Sequence, residues 1–180
     1  MKHLLSLFFI ACLFFSANAQ QQDAKYKVSA GGELMSALGS TAEFYNIGYG
    51  GSVQGEYILS PKLSVTLSGG YIIQTVNKLY KEIFLPWGVS IGDKTFYVAK
   101  AGGKYHFYKN YYAAAEGGVA ISKDKVARGN SFAYAAVVGT SFEISKKSSI
   151  DVSVRFEEWA VSSRDRLSFG GLRAAYVFGF

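Results

Sequence analysis

The chain has 180 residues, enough for one domain, with 20 glycines, thirteen tyrosines, fourteen phenylalanines, two prolines and a formal net charge of +6. So aromatic a composition, with only 18 % charged residues, is unusual for a water-soluble domain and suits a β surface that faces lipid. The basic residues are spread through turns and strands rather than gathered in a stripe, so no nucleic-acid partner is expected.

In chain order, Lys2 and His3 open a short polar start, and Leu4 to Phe15 form a nearly unbroken apolar run. Ser16-Ala17-Asn18-Ala19 then places small residues where a signal peptidase reads them. The run is shorter than the roughly 20 apolar residues of a spanning helix. Residues 1–19 are therefore expected to be a signal peptide and 20–180 the mature domain. Apolar Leu13-Phe14-Phe15 directly after Cys12 argues against lipidation there. Removing the segment takes away Cys12, the only cysteine, and lowers the charge to +5 through Lys2. The mature domain then has neither disulfide nor thiolate metal site, and no cofactor is expected.

After a polar leader, Gln20 to Ala24, the period-two pattern and the turn residues predict eight strands. They are β1 at Lys25–Leu34, β2 at Ile47–Leu59, β3 at Leu63–Thr75 and β4 at Thr95–Phe107. β5 follows at Tyr111–Ile121, β6 at Phe132–Ile144, β7 at Ser149–Trp159 and β8 at Arg166–Phe180. Pro61 falls in a turn and Pro86 in the longest loop, where neither interrupts a ladder. Connections after β2, β4 and β6 are short, and those after the odd strands are long. The fold class predicted is all-β, an eight-stranded antiparallel up-and-down transmembrane β-barrel with tight periplasmic turns and longer outer loops.

One parity of each strand is apolar and ring-rich: Tyr49, Val53, Leu67, Tyr97, Phe132, Val154, Leu172 and Tyr176 are among its members. The other collects Lys27, Glu33, Glu56, Lys100, Lys104, Glu116, Glu143, Asp151, Arg155, Glu157 and Arg173. A Lys or Arg on the lipid face near midplane costs about 2–4 kcal/mol, so the charged parity should point into the lumen as a network of ion pairs. Gly48, Gly50, Gly70, Gly102, Gly118 and Gly139 share that face and leave room for long side chains. A polar lumen is expected, the reverse of a soluble barrel with an apolar interior. Glu158 is the exception on the outward parity and is expected at the outer rim.

AGGKYHF (Ala101–Phe107) followed by YYAAAEGGVAI (Tyr111–Ile121), and VSVRFEEW (Val152–Trp159) followed by GGLRAAYVFGF (Gly170–Phe180), resemble the outer membrane β-barrel domain proteins of the OmpA/OmpX-like class. The resemblance spans essentially the whole mature chain. It implies residence in the cell outer membrane of a Gram-negative-type envelope, contact with outer membrane lipids and handling by the barrel assembly machinery. Tyr176, Phe178 and Phe180 match the family's assembly signal. The family holds structural barrels, adhesins, a lipid acyltransferase and accessory parts of secretion or conjugation systems, so it specifies a fold better than a task.

The chemistry of an enzyme is not legible. His106 belongs to the periplasmic end of β4, away from the outer rim where the acyltransferase relatives' His-Asp-Ser site lies, and Glu157 and Glu158 alternate faces. Asp165 with Ser162 and Ser163 reads as ordinary loop chemistry, and no phosphate loop or metal-ligand spacing occurs. Eight strands enclose little more than their own side chains, which argues against a solute channel. The longest connection, Val76 to Lys94, carries Ile83, Phe84, Leu85 and Trp87 around Pro86, a candidate partner loop or an anchor in the headgroups. The expected role is a monomeric, non-catalytic barrel with a structural and surface-contact task. The alternatives are an accessory subunit of an envelope secretion or conjugation machine and, less favoured, a lipid-modifying enzyme.

Overall fold

A computed structural model describes residues 25–77, 92–123, 130–162 and 165–180. The expected signal peptide and Ile83, Phe84, Leu85 and Trp87 of the long connection lie outside the described residues. Eight strands run β1 (Tyr26–Leu38), β2 (Tyr45–Ser60), β3 (Leu63–Val76), β4 (Lys94–Tyr108), β5 (Tyr111–Ser122), β6 (Asn130–Ser145), β7 (Ser148–Ala160) and β8 (Arg166–Gly179). One short helix, α1 (Thr41–Phe44), lies between β1 and β2. Every strand pairs antiparallel with its sequence neighbour, and β8 returns to β1, so the sheet closes and leaves no edge. Tyr26 and Phe180 fasten the periplasmic end of that seam by exchanging backbone hydrogen bonds of 3.2 and 2.9 Å.

The register determines the shape. Starting at Lys27, the paired positions run through Glu56, Thr66, Gly102, Glu116, Ala135, Glu157 and Phe169 and reach β1 again at Ala37, ten residues displaced. Eight strands sheared by ten residues tilt by about 40° and give a backbone diameter of about 16 Å. A strand the length of β3 then rises about 35 Å along the axis, enough to cross an apolar band about 25 Å tall.

Pro61-Lys62, Lys109-Asn110 and Lys146-Lys147 make the three tight turns. A register shift precedes each one, at Ile58/Ser60, His106/Tyr108 and Glu143/Ser145, the bulge that lets so short a loop reverse a strongly twisted pair. Ser60 and Ser145 accept backbone N–H bonds from Leu63 and Lys147 at 3.1 and 3.4 Å, each closing its turn with a hydroxyl. At the outer end β1 runs on to Leu38, four residues past the expected end at Leu34. Gly39, with φ +58°, turns the chain into α1, and buried Thr41 accepts the Ser168 N–H at 2.9 Å. The first outer connection is thereby folded against β8.

The exterior is apolar. Leu67 (68 % exposed), Ile47, Val53, Val138 and Val154 point away from the barrel. Rings gather toward the strand ends: Tyr26 with Tyr57 and Phe180 at the periplasmic side, Tyr71 with Tyr97 nearer the outer side. That distribution fits a lipid-facing wall with interfacial aromatics.

Candidate functional site: the filled lumen and its two ends

Alternation in the strands aims nine of the charged side chains inward from six strands, and the axial stagger of neighbouring strands stacks them. Glu116 lies 3.4 Å from Lys100, and Lys100 lies 2.6 Å from Glu157. Glu157 lies 3.6 Å from Arg155, which reaches Glu33 at 3.2 Å. Glu33 lies 3.6 Å from Arg173, and Arg173 3.9 Å from Asp151. Lys104 completes the run, 3.9 Å from Asp151 and 2.8 Å from Glu56. Signs alternate without a break from Glu116 to Glu56, and all nine residues are buried. Adding Glu56 as the terminal member, five carboxylates meet four cations.

Neutral donors support three of the ladder carboxylates, Glu56, Asp151 and Glu157, as buried charges require. Ser64 donates to Glu56 at 2.7 Å. Tyr112 and Ser141 donate to Asp151 at 2.8 and 3.0 Å, and the Trp159 indole donates to Glu157 at 2.7 Å. Arg173 donates to Ser52 and Ser29 at 2.9 and 3.0 Å. The Lys104 ammonium also stands 4.2 Å above the centre of the Tyr112 ring. Glycine makes the space: a Cβ on Gly139 would come within 2.5 Å of the Tyr112 ring, and one on Gly171 within 2.8 Å of the Arg155 stem. Among the described residues, Arg155 Nε, Glu116 Oε2 and both amide atoms of Gln74 are buried without a hydrogen-bond partner.

Two of the expected lumen charges stand apart from the ladder. Lys27 lies near the start of β1 and Glu143 at the bulge that ends β6, both at the periplasmic end. Lys27 is half-buried and Glu143 exposed, and both line a polar vestibule of about 200 Å³ that opens at that end. His106 shares the vestibule, its ring 5.7 Å from that of Tyr112. Just ahead of β1, the exposed Lys25 is held above the ordinary lysine value by its hydrogen bond to Tyr57.

The outer half of the lumen corrects the expectation of a wholly polar interior. Met35, Ile72, Phe96, Val98, Trp159 and Phe169 form an apolar cluster there, with Tyr45 and Leu167 packed against it. Trp159 and Phe169 are fully buried, and the Trp159 ring lies 4.7 Å from Phe96 and 4.8 Å from Phe169. These residues share the inward parity with the charges, so alternation itself located them. Trp159 follows Glu157 by two positions and Val98 precedes Lys100 by two. Aromatic edges and an indole N–H fill a space of this width without adding charge, and that is the physical reason for the plug.

Glu158 sits on the outward side near the outer rim. It accepts hydrogen bonds from Tyr134 and, at 3.2 Å, from Ser168, and it lies 3.6 Å from exposed Arg166. Tyr176, Phe178 and Phe180 line the outer face of the closing strand, Phe178 and Phe180 stacked at 6.4 Å. Asp165 caps its loop by accepting from Ser162 at 2.9 Å.

No family model and no curated protein matches the chain. Solved structures do. Neisserial surface protein A matches with a TM-score of 0.59 at 14 % identity, over 89 % of this chain and 100 % of that one. Ail, the attachment invasion locus protein of Yersinia pestis, matches at 0.55 and 16 % identity, over 87 % and 100 %. OprG of Pseudomonas aeruginosa matches at 0.56 and 10 % identity, over 91 % and 99 %. At these identities what is shared is the fold. The chain has the closed eight-stranded antiparallel β-barrel fold, with an apolar outer wall, that these small outer membrane proteins share.

Proposed function

We propose that the protein is a non-catalytic outer membrane barrel with a structural and surface-contact role. It acts as a monomer, its wall partners are the outer membrane lipids, and its outer connections meet proteins at the cell surface. The observation that carries this reading is the filled lumen. Between the ladder residues the cavities have volumes of only about 10 Å³ each, about one water, and the aromatic plug stands outside them. Such an interior is a strut rather than a conduit. His106 is at the periplasmic end against Tyr112, remote from the outer mouth, which supports a non-catalytic role. The same fold serves one protein named for attachment and invasion and another named as a surface protein, so the fold is compatible with that task.

The test is extraction in mild detergent followed by affinity purification and mass measurement, together with a lipid profile of cells lacking the protein. The reading expects a lone barrel of monomer mass and an unchanged lipid profile. A stoichiometric envelope complex would replace it with the accessory-subunit reading, and a missing lipid product would replace it with an enzyme.

A further inference from the structure

The two ends of the lumen differ in kind. The outer end is closed by the Trp159–Phe96–Phe169 plug, whereas the periplasmic end is an open vestibule of about 200 Å³. Its floor is already neutral, because Glu56 is held by Lys104 and Ser64. Above that floor stand four ionisable side chains that make no hydrogen bond or ion pair with a described residue: Lys27, His106, Glu143 and, turned 5.4 Å from the centre of the Tyr108 ring, Lys109. Asn110 adds a neutral donor and acceptor, and Ile58 and Pro61 add an apolar strip. Around the mouth, every tight turn carries lysine: Lys62, Lys109, and the pair Lys146 and Lys147, all exposed. The field at this end is therefore positive and draws anions from the periplasmic side.

We propose that the periplasmic vestibule binds the carboxylate end of a short peptide. Lys27, backed by the His106 N–H, takes the carboxylate. Asn110 pairs with the peptide group, and a small side chain rests on Ile58 and Pro61. Glu143, at the rim, takes an ammonium or N–H from the next residue. A cavity of this size holds one or two residues and no more, so the ligand is a chain terminus or a free dipeptide rather than an internal loop. Two sources carry this chemistry, the stem peptides of a cell wall and the C-termini of periplasmic proteins, and their stereochemistry separates them. The proposal stands independently of the outer loops and of their partners.

The experiment titrates the purified protein in micelles with alanyl-alanine and follows amide NMR shifts of Ser60, Asn110 and Ser149. The probes are the D,D and L,L dipeptides, the N-acetyl form, the C-terminal amide and acetate. Saturable shifts confined to the vestibule are expected, with Kd in the range of about 0.1–10 mM for so small a ligand. Amidation of the carboxylate and Lys27→Met should each weaken binding by about tenfold. N-acetylation should weaken it by a smaller factor, and Glu143→Gln should abolish that difference. Preference for D,D assigns the wall peptide and preference for L,L the protein terminus, while equal binding assigns both. The proposal is overturned by the absence of saturation at about 50 mM, by equal binding of the amide, or by acetate shifting the same amides with equal affinity. Unchanged binding by Lys27→Met overturns it too. Should that variant not fold, the amide comparison on the unaltered protein decides alone.

Discussion

Arg155 stands between two carboxylates, 3.2 Å from Glu33 and 3.6 Å from Glu157, with its stem in the gap left by Gly171. Replacing it with Leu takes the cation from between them and leaves five buried carboxylates against three cations, Glu33 keeping only Arg173 and Glu157 only Lys100. Arg155→Leu and Arg173→Leu should each cost about 3–5 kcal/mol in chemical unfolding followed by fluorescence, because a broken buried pair leaves an uncompensated charge. Arg166 is the control. Its side chain is 63 % exposed and its partner Glu158 keeps two other donors, so Arg166→Leu should cost under about 1 kcal/mol. An equal loss in all three variants would mean that stability does not flow through the ladder. Glycine offers a second comparison at the same scale. Gly139→Ala would press a methyl against the Tyr112 ring and should cost about 1–3 kcal/mol, whereas Gly103→Ala meets nothing within 4 Å and should be nearly neutral.

At the scale of the element, alternation makes most of the strand pattern legible in the sequence. The tight turns after β2, β4 and β6 are marked by Pro61-Lys62, Lys109-Asn110 and Lys146-Lys147, and seven strands both begin and end within two residues of the expected positions. β1 was the hardest to read. Its continuation, Met35-Ser36-Ala37-Leu38, lacks the polar inward member that marked other strands, since Met35 and Ala37 are the lumen side and are apolar. The same logic hid the plug. A search for charges on the inward face finds the ladder and overlooks Ile72, Phe96, Trp159 and Phe169, which differ from lipid-facing residues only by phase. Helix α1 is four residues long and carries too few periodic positions to signal itself. The plug has its own test: Trp159→Ala should cost about 3–5 kcal/mol and leave a lumen wide enough for water. Planar-bilayer recordings should give no conductance steps for the unaltered protein and a small leak for the variant. Steps of equal size from both would mean that ions pass elsewhere.

For the whole molecule, the account reduces to a two-sided wall. Ionised groups from six strands meet on the axis, and aliphatic and aromatic groups from all eight face outward. A closed sheet with that partition should resist detergent until heated, so unboiled and boiled samples should migrate differently on a denaturing gel. Deleting Phe180 removes both hydrogen bonds of the Tyr26–Phe180 exchange and the outermost ring of the closing strand. It should lower the heat-modifiable fraction made in cells while leaving refolding into micelles possible. The partition itself is measured most directly by spin labels placed on the outward side of β3, through Leu63→Cys, Leu67→Cys and Tyr71→Cys, with Lys62→Cys in the turn. In lipid vesicles, oxygen accessibility should peak at position 67 and fall toward 63, with a water-soluble nickel chelate reaching 62 and excluded from 67. Chelate access at 67 equal to that at 62 would contradict a lipid-facing wall.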